Sequence, residues 1–246
     1  MDSQNNNNQK PNMWHSPSLN IYLILVVIML VLAVLELMLP LAINQGQQMS
    51  LVTVIVAAVL GWVGLVLSPR AGFPEMNEPN ISSKQRFWIP GLVGLILGLV
   101  MVLFDLLSPL GTEIQTKFPD SLIVFSLAGL FEEIIIHLFL TTLLIWLVAG
   151  VILRNRYQQP VFWIVAVGVS LLYWLLQVSA IQTYFPEKFS VVLAIQMLFI
   201  IGSTITVGAY FFRKSGFLAA LALRYGFYLI WHIIWGGGIG LVRYLM

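Results

Sequence analysis

Two glutamates stand side by side, Glu132 and Glu133, inside an apolar run that extends from Ser121 to Leu153. His137 follows Glu133 by four residues, so the two share a helix face. Glu132 is rotated about 100° from Glu133 and faces a different neighbour. Adjacent carboxylates in a low dielectric repel, so the pair requires a proton or a counter-charge. Such a pair can supply a general base with a structural partner. It can equally form a buried polar knot that fixes helix register. These residues alone leave both readings open.

A second polar stripe runs through another apolar stretch. Arg224, Tyr228 and His232 are spaced four apart and line one face of a helix. Tyr173 and Gln177 repeat the spacing, a pattern common in interhelical hydrogen bonding. Ionisable groups in a bilayer core are costly, which makes Glu132, Glu133, His137, Arg224 and His232 functional candidates. Glu36 and Asp105 sit towards the ends of apolar runs and are expected to be structural or interfacial.

The elements that position these residues follow from composition. Only 9% of the 246 residues are charged and 59% are hydrophobic. A soluble domain carries about a quarter charged residues, so an ordinary globular enzyme is excluded. The apolar residues gather into runs of about 20, the length of a membrane-crossing helix. Seven spans are expected: 21–41, 51–67, 88–107, 121–153, 161–180, 189–212 and 216–235. The fourth exceeds the span length and is expected to tilt or to extend beyond the hydrocarbon. Residues 1–20 read as a disordered polar tail, and the first run as a retained anchor rather than a signal peptide. Gly236 to Gly238 are expected to end the last helix, leaving a short amphipathic end, 239–246. No strand pattern or repeat is visible, so the fold class is an all-α polytopic membrane bundle.

A net charge of +2 does not point to nucleic acid. The absence of cysteine excludes disulfides, thiolate catalysis and cysteine-ligated zinc. Histidine is limited to His15, His137 and His232. On the seven-span topology Lys10, Arg70, Lys84, Arg86, Arg154, Arg156, Arg213 and Lys214 fall on one side. Lys117, Lys188 and Arg243 fall on the other. Eight against three favours a cytoplasmic N-terminus.

Three segments together resemble the CPBP family of intramembrane proteases, which includes the CAAX-prenyl endopeptidases and the bacterial Abi proteins. Phe131-Glu132-Glu133-Ile134-Ile135-Ile136-His137-Leu138-Phe139-Leu140 resembles its first signature, Glu-Glu, three residues, then Arg. Leu171 to Gln177 takes the place of the second, Phe, three residues, then His. The stretch from Gly208 through Arg213 and Gly216 to Arg224 and Tyr228 reads along the third, which ends in His, three residues, and Asn or Asp. The resemblance covers residues 120–235, in order and spacing. It implies a CPBP-like core, 120–246, preceded by N-terminal transmembrane helices, 21–119.

In that family a glutamate and the two histidines hold and activate the hydrolytic water, with or without zinc. Here the positions differ. His137 replaces the arginine, Tyr173 and Gln177 replace the phenylalanine and histidine, and Arg224 and Tyr228 replace the histidine and asparagine. An amide is not basic at neutral pH. A guanidinium repels a metal ion and cannot act as a base. Arg224 facing Glu132 or Glu133 would turn the water site into a salt bridge.

The leading reading is therefore a catalytically degenerate relative, without cofactor, that binds membrane proteins or lipidated peptides in the bilayer. The alternative is an active metal-dependent endopeptidase, with Glu132 as base and Glu133, His137 and His232 as helpers around zinc. Metal catalysis needs three convergent ligands and an open position, and His232 lies two turns beyond Arg224. A small transporter or channel component ranks last, since no inverted repeat is seen.

Overall fold

The computed structural model describes residues 17–41, 49–107 and 116–238. His15, Lys10, Arg243, most of the expected tail and the expected amphipathic end lie outside the described residues. Among the described residues seven helices are long and apolar enough to cross a membrane: α1 Pro17–Met38, α2 Leu51–Ala71, α3 Lys84–Leu107, α4 Asp120–Ile152, α5 Gln158–Tyr184, α6 Val191–Ser215 and α7 Phe217–Gly237. No strand occurs among the described residues. The chain is an all-α, integral, multi-pass membrane protein. Exposed apolar side chains such as Ile24, Leu92, Ile164 and Ile195 face outward, where lipid tails replace water.

The central positions belong to the two chemistry-bearing helices. In their most apolar stretches 44% of α4 and 56% of α7 is buried, against 22–33% in the other five. Lipid tails are as apolar as leucine, so helices associate in the bilayer through close backbone approach. Gly94 of α3 lies against the backbone of Leu223 in α7. A Cβ at Gly98 would sit 2.7 Å from Ile230 Cβ. α3 is thus seated along α7, while α2 packs on the segment of α4 that holds His137.

Three expectations of chain organisation change or gain detail. Helix α1 starts at Pro17, so residues 17–20, expected in the tail, belong to the helix. Proline suits the first helical position because its missing N–H needs no partner there. Ser18 is buried and its Oγ accepts from Met76 N at 3.1 Å, which ties the helix start to the α2–α3 loop. Helix α7 runs to Gly237, inside the glycine run expected to end it, with Gly238 as its cap. Gly236 and Gly237 are buried, and a Cβ on Gly237 would come within 2.9 Å of Ser121 Oγ. Gly237 thus also serves close packing on the start of α4. Glu36 and Asp105 are both enclosed by protein, at 2% and 7% exposure, which fits the expected structural role. Glu36 accepts from Met49 N at 3.3 Å, and Asp105 accepts from Trp235 Nε1 at 2.8 Å, so both tie helix ends together.

The turns at one end of the bundle lie together. Arg213 Cζ stands 4.5 Å over the Phe162 ring, which joins the α6–α7 turn to the start of α5. Gly216 makes the α6–α7 turn at φ +83°, a conformation that only glycine adopts freely. The backbone of Glu75 lies against Gly216, so the α2–α3 loop shares this end. The Arg154–Arg156 turn and the Arg213–Lys214 turn therefore lie at the same end of the protein.

Candidate functional site

Glu132 and Glu133 close the first, α-helical part of α4. From Ile134 to Thr141 the helix widens to a π-helical turn that contains His137. Such widening leaves backbone carbonyls poorly paired and recurs at functional sites. Here Thr141 and Thr142 hydroxyls donate to the carbonyls of Ile136 and His137, at 2.7 and 3.1 Å. On α7, Arg224 and Tyr228 lie one turn apart in the α-helical part, and His232 lies in a π-helical part that follows.

The polar residues form two tiers. In the inner tier Arg224 Nε donates to Glu133 Oε1 at 2.7 Å. Glu133 Oε2 lies 2.5 Å from His137 Nδ1. His137 Nε2 lies 3.0 Å from the carbonyl of Ile205 in α6. Glu133 and His137 are fully buried. Space for the imidazole comes from Gly208, where a Cβ would stand 2.9 Å from His137 Cε1. In the outer tier Arg224 Nη1 lies 3.1 Å from Glu132 Oε2. Tyr228 donates to the same oxygen at 2.7 Å. Tyr173 adjoins Glu132 and accepts from Gln177 Nε2 at 2.9 Å.

This geometry fixes the charge of the cluster. A carbonyl only accepts, so His137 Nε2 carries a hydrogen. One further proton must then lie between Nδ1 and Glu133 Oε2, whichever atom holds it. Two carboxylates, one guanidinium and that shared proton sum to zero. The cluster is neutral as a unit, which is how ionisable groups become tolerable in a bilayer core.

A cavity of about 540 Å³ abuts the outer tier. Glu132, Tyr173, Gln177, Arg224, Tyr228 and His232 line it. Glu133 and His137 do not; they lie behind the guanidinium. The His232 ring stacks on Phe125 at 4.0 Å and meets the Tyr228 ring edge-on at 4.5 Å. The helper set Glu133, His137 and His232 does not converge: His137 has both nitrogens engaged, and His232 lies among aromatic rings on the cavity wall. No group of three or more His, Asp or Glu side chains able to hold a metal ion occurs among the described residues.

Sequence reasoning placed the polar residues but missed what holds them. The acceptor for His137 is a backbone carbonyl, which has no residue-type signature. Gly208 was quoted only as part of a signature, yet it makes room for the ring. The cavity walls contributed by α3 and α6, including Met101, Leu193 and Met197, carried no signal beyond apolarity.

Comparison with protein-family models, with curated proteins and with solved structures gives no match for this chain.

Proposed function

We propose that this chain is a CPBP-like membrane protein that has exchanged a hydrolytic water site for a neutral ion-pair cluster. It would retain the cavity beside that cluster to bind a membrane-derived partner, such as a membrane protein segment or a lipidated peptide, without cleaving it. The observation that carries the reading is Arg224, which bridges Glu133 at 2.7 Å and Glu132 at 3.1 Å. Its guanidinium occupies both carboxylates where the resemblance calls for an imidazole. A water held by Glu132 would face a permanent cation and have no basic imidazole to receive its proton. A metal ion would face the same cation.

Purified protein is expected to hold no stoichiometric zinc and to leave prenylated peptides intact over hours. Zinc at one per chain, together with zinc-dependent cleavage that Glu132→Gln abolishes, would replace this reading with that of an active endopeptidase.

The orientation belongs to the same proposal. The end with the Arg154–Arg156 and Arg213–Lys214 turns is the cytoplasmic one, supported by the eight-to-three distribution of basic residues. The native chain has no cysteine, so an Asn155→Cys variant reports without background. An impermeant thiol reagent is expected to label it in inside-out vesicles and not in intact cells. Labelling of intact cells would invert the topology.

A further inference from the structure

The end of the bundle that joins α4 to α5 and α6 to α7 carries positive charge that its own turns do not neutralise. Arg154 and Arg156 lie in the first turn, and Arg213 and Lys214 close α6 at the second. Neither turn contains an acidic residue. Among the described residues none of the four takes part in an ion pair. Arg154, Arg156 and Lys214 are exposed, whereas Arg213 is half-buried on the Phe162 ring. Asn155 N donates to Ala149 O at 2.7 Å and Arg156 N to Leu153 O at 2.9 Å, so the first turn is held by its own backbone and its arginine side chains are left to solvent.

The seam between α5 and α6 leads from these charges into the hydrocarbon. Lys214 Nζ donates to the Tyr210 hydroxyl at 3.2 Å and stands 5.5 Å from the centre of that ring. An ammonium has three donors, so two remain for a ligand, and the hydroxyl adds its own. The Tyr210 ring stacks on Trp163 of α5, with centroids 6.5 Å apart and planes 13° from parallel. Both rings are exposed, and exposed tyrosine and tryptophan at a helix end mark headgroup depth. Just below them on α5, Ile164 and Val167 are 71% and 46% exposed and face lipid tails. Basic, aromatic and apolar layers thus follow one another in the order of phosphate, glycerol and acyl chain. A soluble acidic peptide would use the first layer and leave the other two empty. A choline head would bring its own cation to the guanidinium groups, so a lipid of net negative charge is favoured over a zwitterionic one.

We infer that this end of the protein binds an anionic phospholipid, its phosphate at Lys214 and the Tyr210 hydroxyl and its acyl chains along α5 below Trp163.

The test uses full-length protein, delipidated in detergent and titrated with dioleoyl phosphatidylglycerol or dioleoyl phosphatidylcholine. The acyl chains are identical, so the ratio of affinities isolates the headgroup. Bound lipid is counted by native mass spectrometry. Phosphatidylglycerol is expected to bind at least about fivefold more tightly, and the preference should shrink as ammonium acetate is raised. Lys214→Gln is expected to weaken phosphatidylglycerol binding by about fivefold and to leave phosphatidylcholine binding nearly unchanged. Lys84→Gln makes an equal change of charge at the start of α3 and is expected to alter either affinity by less than about twofold. Both lysines are exposed, so both variants should fold. Inorganic phosphate and a hexaglutamate peptide, which have no acyl chains, are expected not to displace the lipid. Equal affinity for the two lipids, or equal effects of Lys84→Gln and Lys214→Gln, would overturn the inference. Displacement by phosphate or by the peptide would also overturn it, in favour of a soluble anion.

Discussion

Replacing Arg224 with methionine is expected to destabilise the protein by about 3–5 kcal/mol, the usual consequence of removing one partner from a buried ion pair. The side chain is similar in volume, so packing changes little. What changes is charge. Arg224 neutralises Glu132 and Glu133 together, and among the described residues neither carboxylate has another cation that can replace it: His137 contributes only the proton it shares with Glu133. The cluster moves from zero to −1 within the bilayer core. Glu133→Gln breaks the same 2.7 Å contact with a smaller loss, because removing that carboxylate also removes the need for the shared proton and leaves the sum at zero. Thermal unfolding in detergent, with far-ultraviolet circular dichroism, separates the two variants. Equal losses would mean that Arg224 and Glu133 act through packing rather than charge.

The second large effect concerns metal. The double variant Gln177→His and Arg224→His is expected to bind zinc stoichiometrically, whereas each single change leaves the metal content near background. Positions 177 and 224 line the same cavity as Glu132. Gln177→His alone supplies one imidazole but leaves the guanidinium, which holds Glu132 and repels a divalent ion. Arg224→His alone frees Glu132 but leaves an amide across the cavity. The two changes together give two imidazoles and a released carboxylate, the smallest set for a three-ligand site with one open position. The zinc-free double variant should be less stable than the wild type, by an amount of the order given for Arg224→Met, and zinc should restore stability. Metal stoichiometry and thermal shift with and without zinc read both parts. Zinc uptake by a single variant, or none by the double variant, would show that these positions do not converge on Glu132.

The bundle was legible in the sequence because its cause is simple. Apolar runs of membrane-crossing length repeat seven times, and each satisfies its backbone only as a helix. The pairing of Arg224 with the glutamates was legible for a similar reason: unpaired charges of opposite sign in one bilayer core are far costlier than paired ones. Glycine was harder to read. Gly236 to Gly238 have the composition of a helix terminator, and only the closeness of Ser121 and Phe118 shows that Gly237 also serves packing. Gly208 carries the same ambiguity, resolved only by the position of the His137 ring. The two glutamates were equivalent in the sequence. Their separation into a buried Glu133 and a cavity-facing Glu132 depends on which way α4 is rotated against α7, and spacing along one helix does not determine that. His232 lines the cavity as expected, but its stacking on Phe125 and its edge-on contact with Tyr228 carried no signal in the sequence.

The central claim is that Arg224 is held in place by the charge of two buried carboxylates. It is tested most directly by the Tm of Arg224→Met with and without a second change, Glu132→Gln. The second change removes one carboxylate and leaves Glu133 with the proton it shares with His137, so the cluster returns to zero charge. The double variant is therefore expected to recover most of the stability lost by Arg224→Met, and to be more stable than Arg224→Met with Glu133→Gln, whose sum stays at −1. A double variant with Glu132→Gln that is no more stable than Arg224→Met alone would contradict the account.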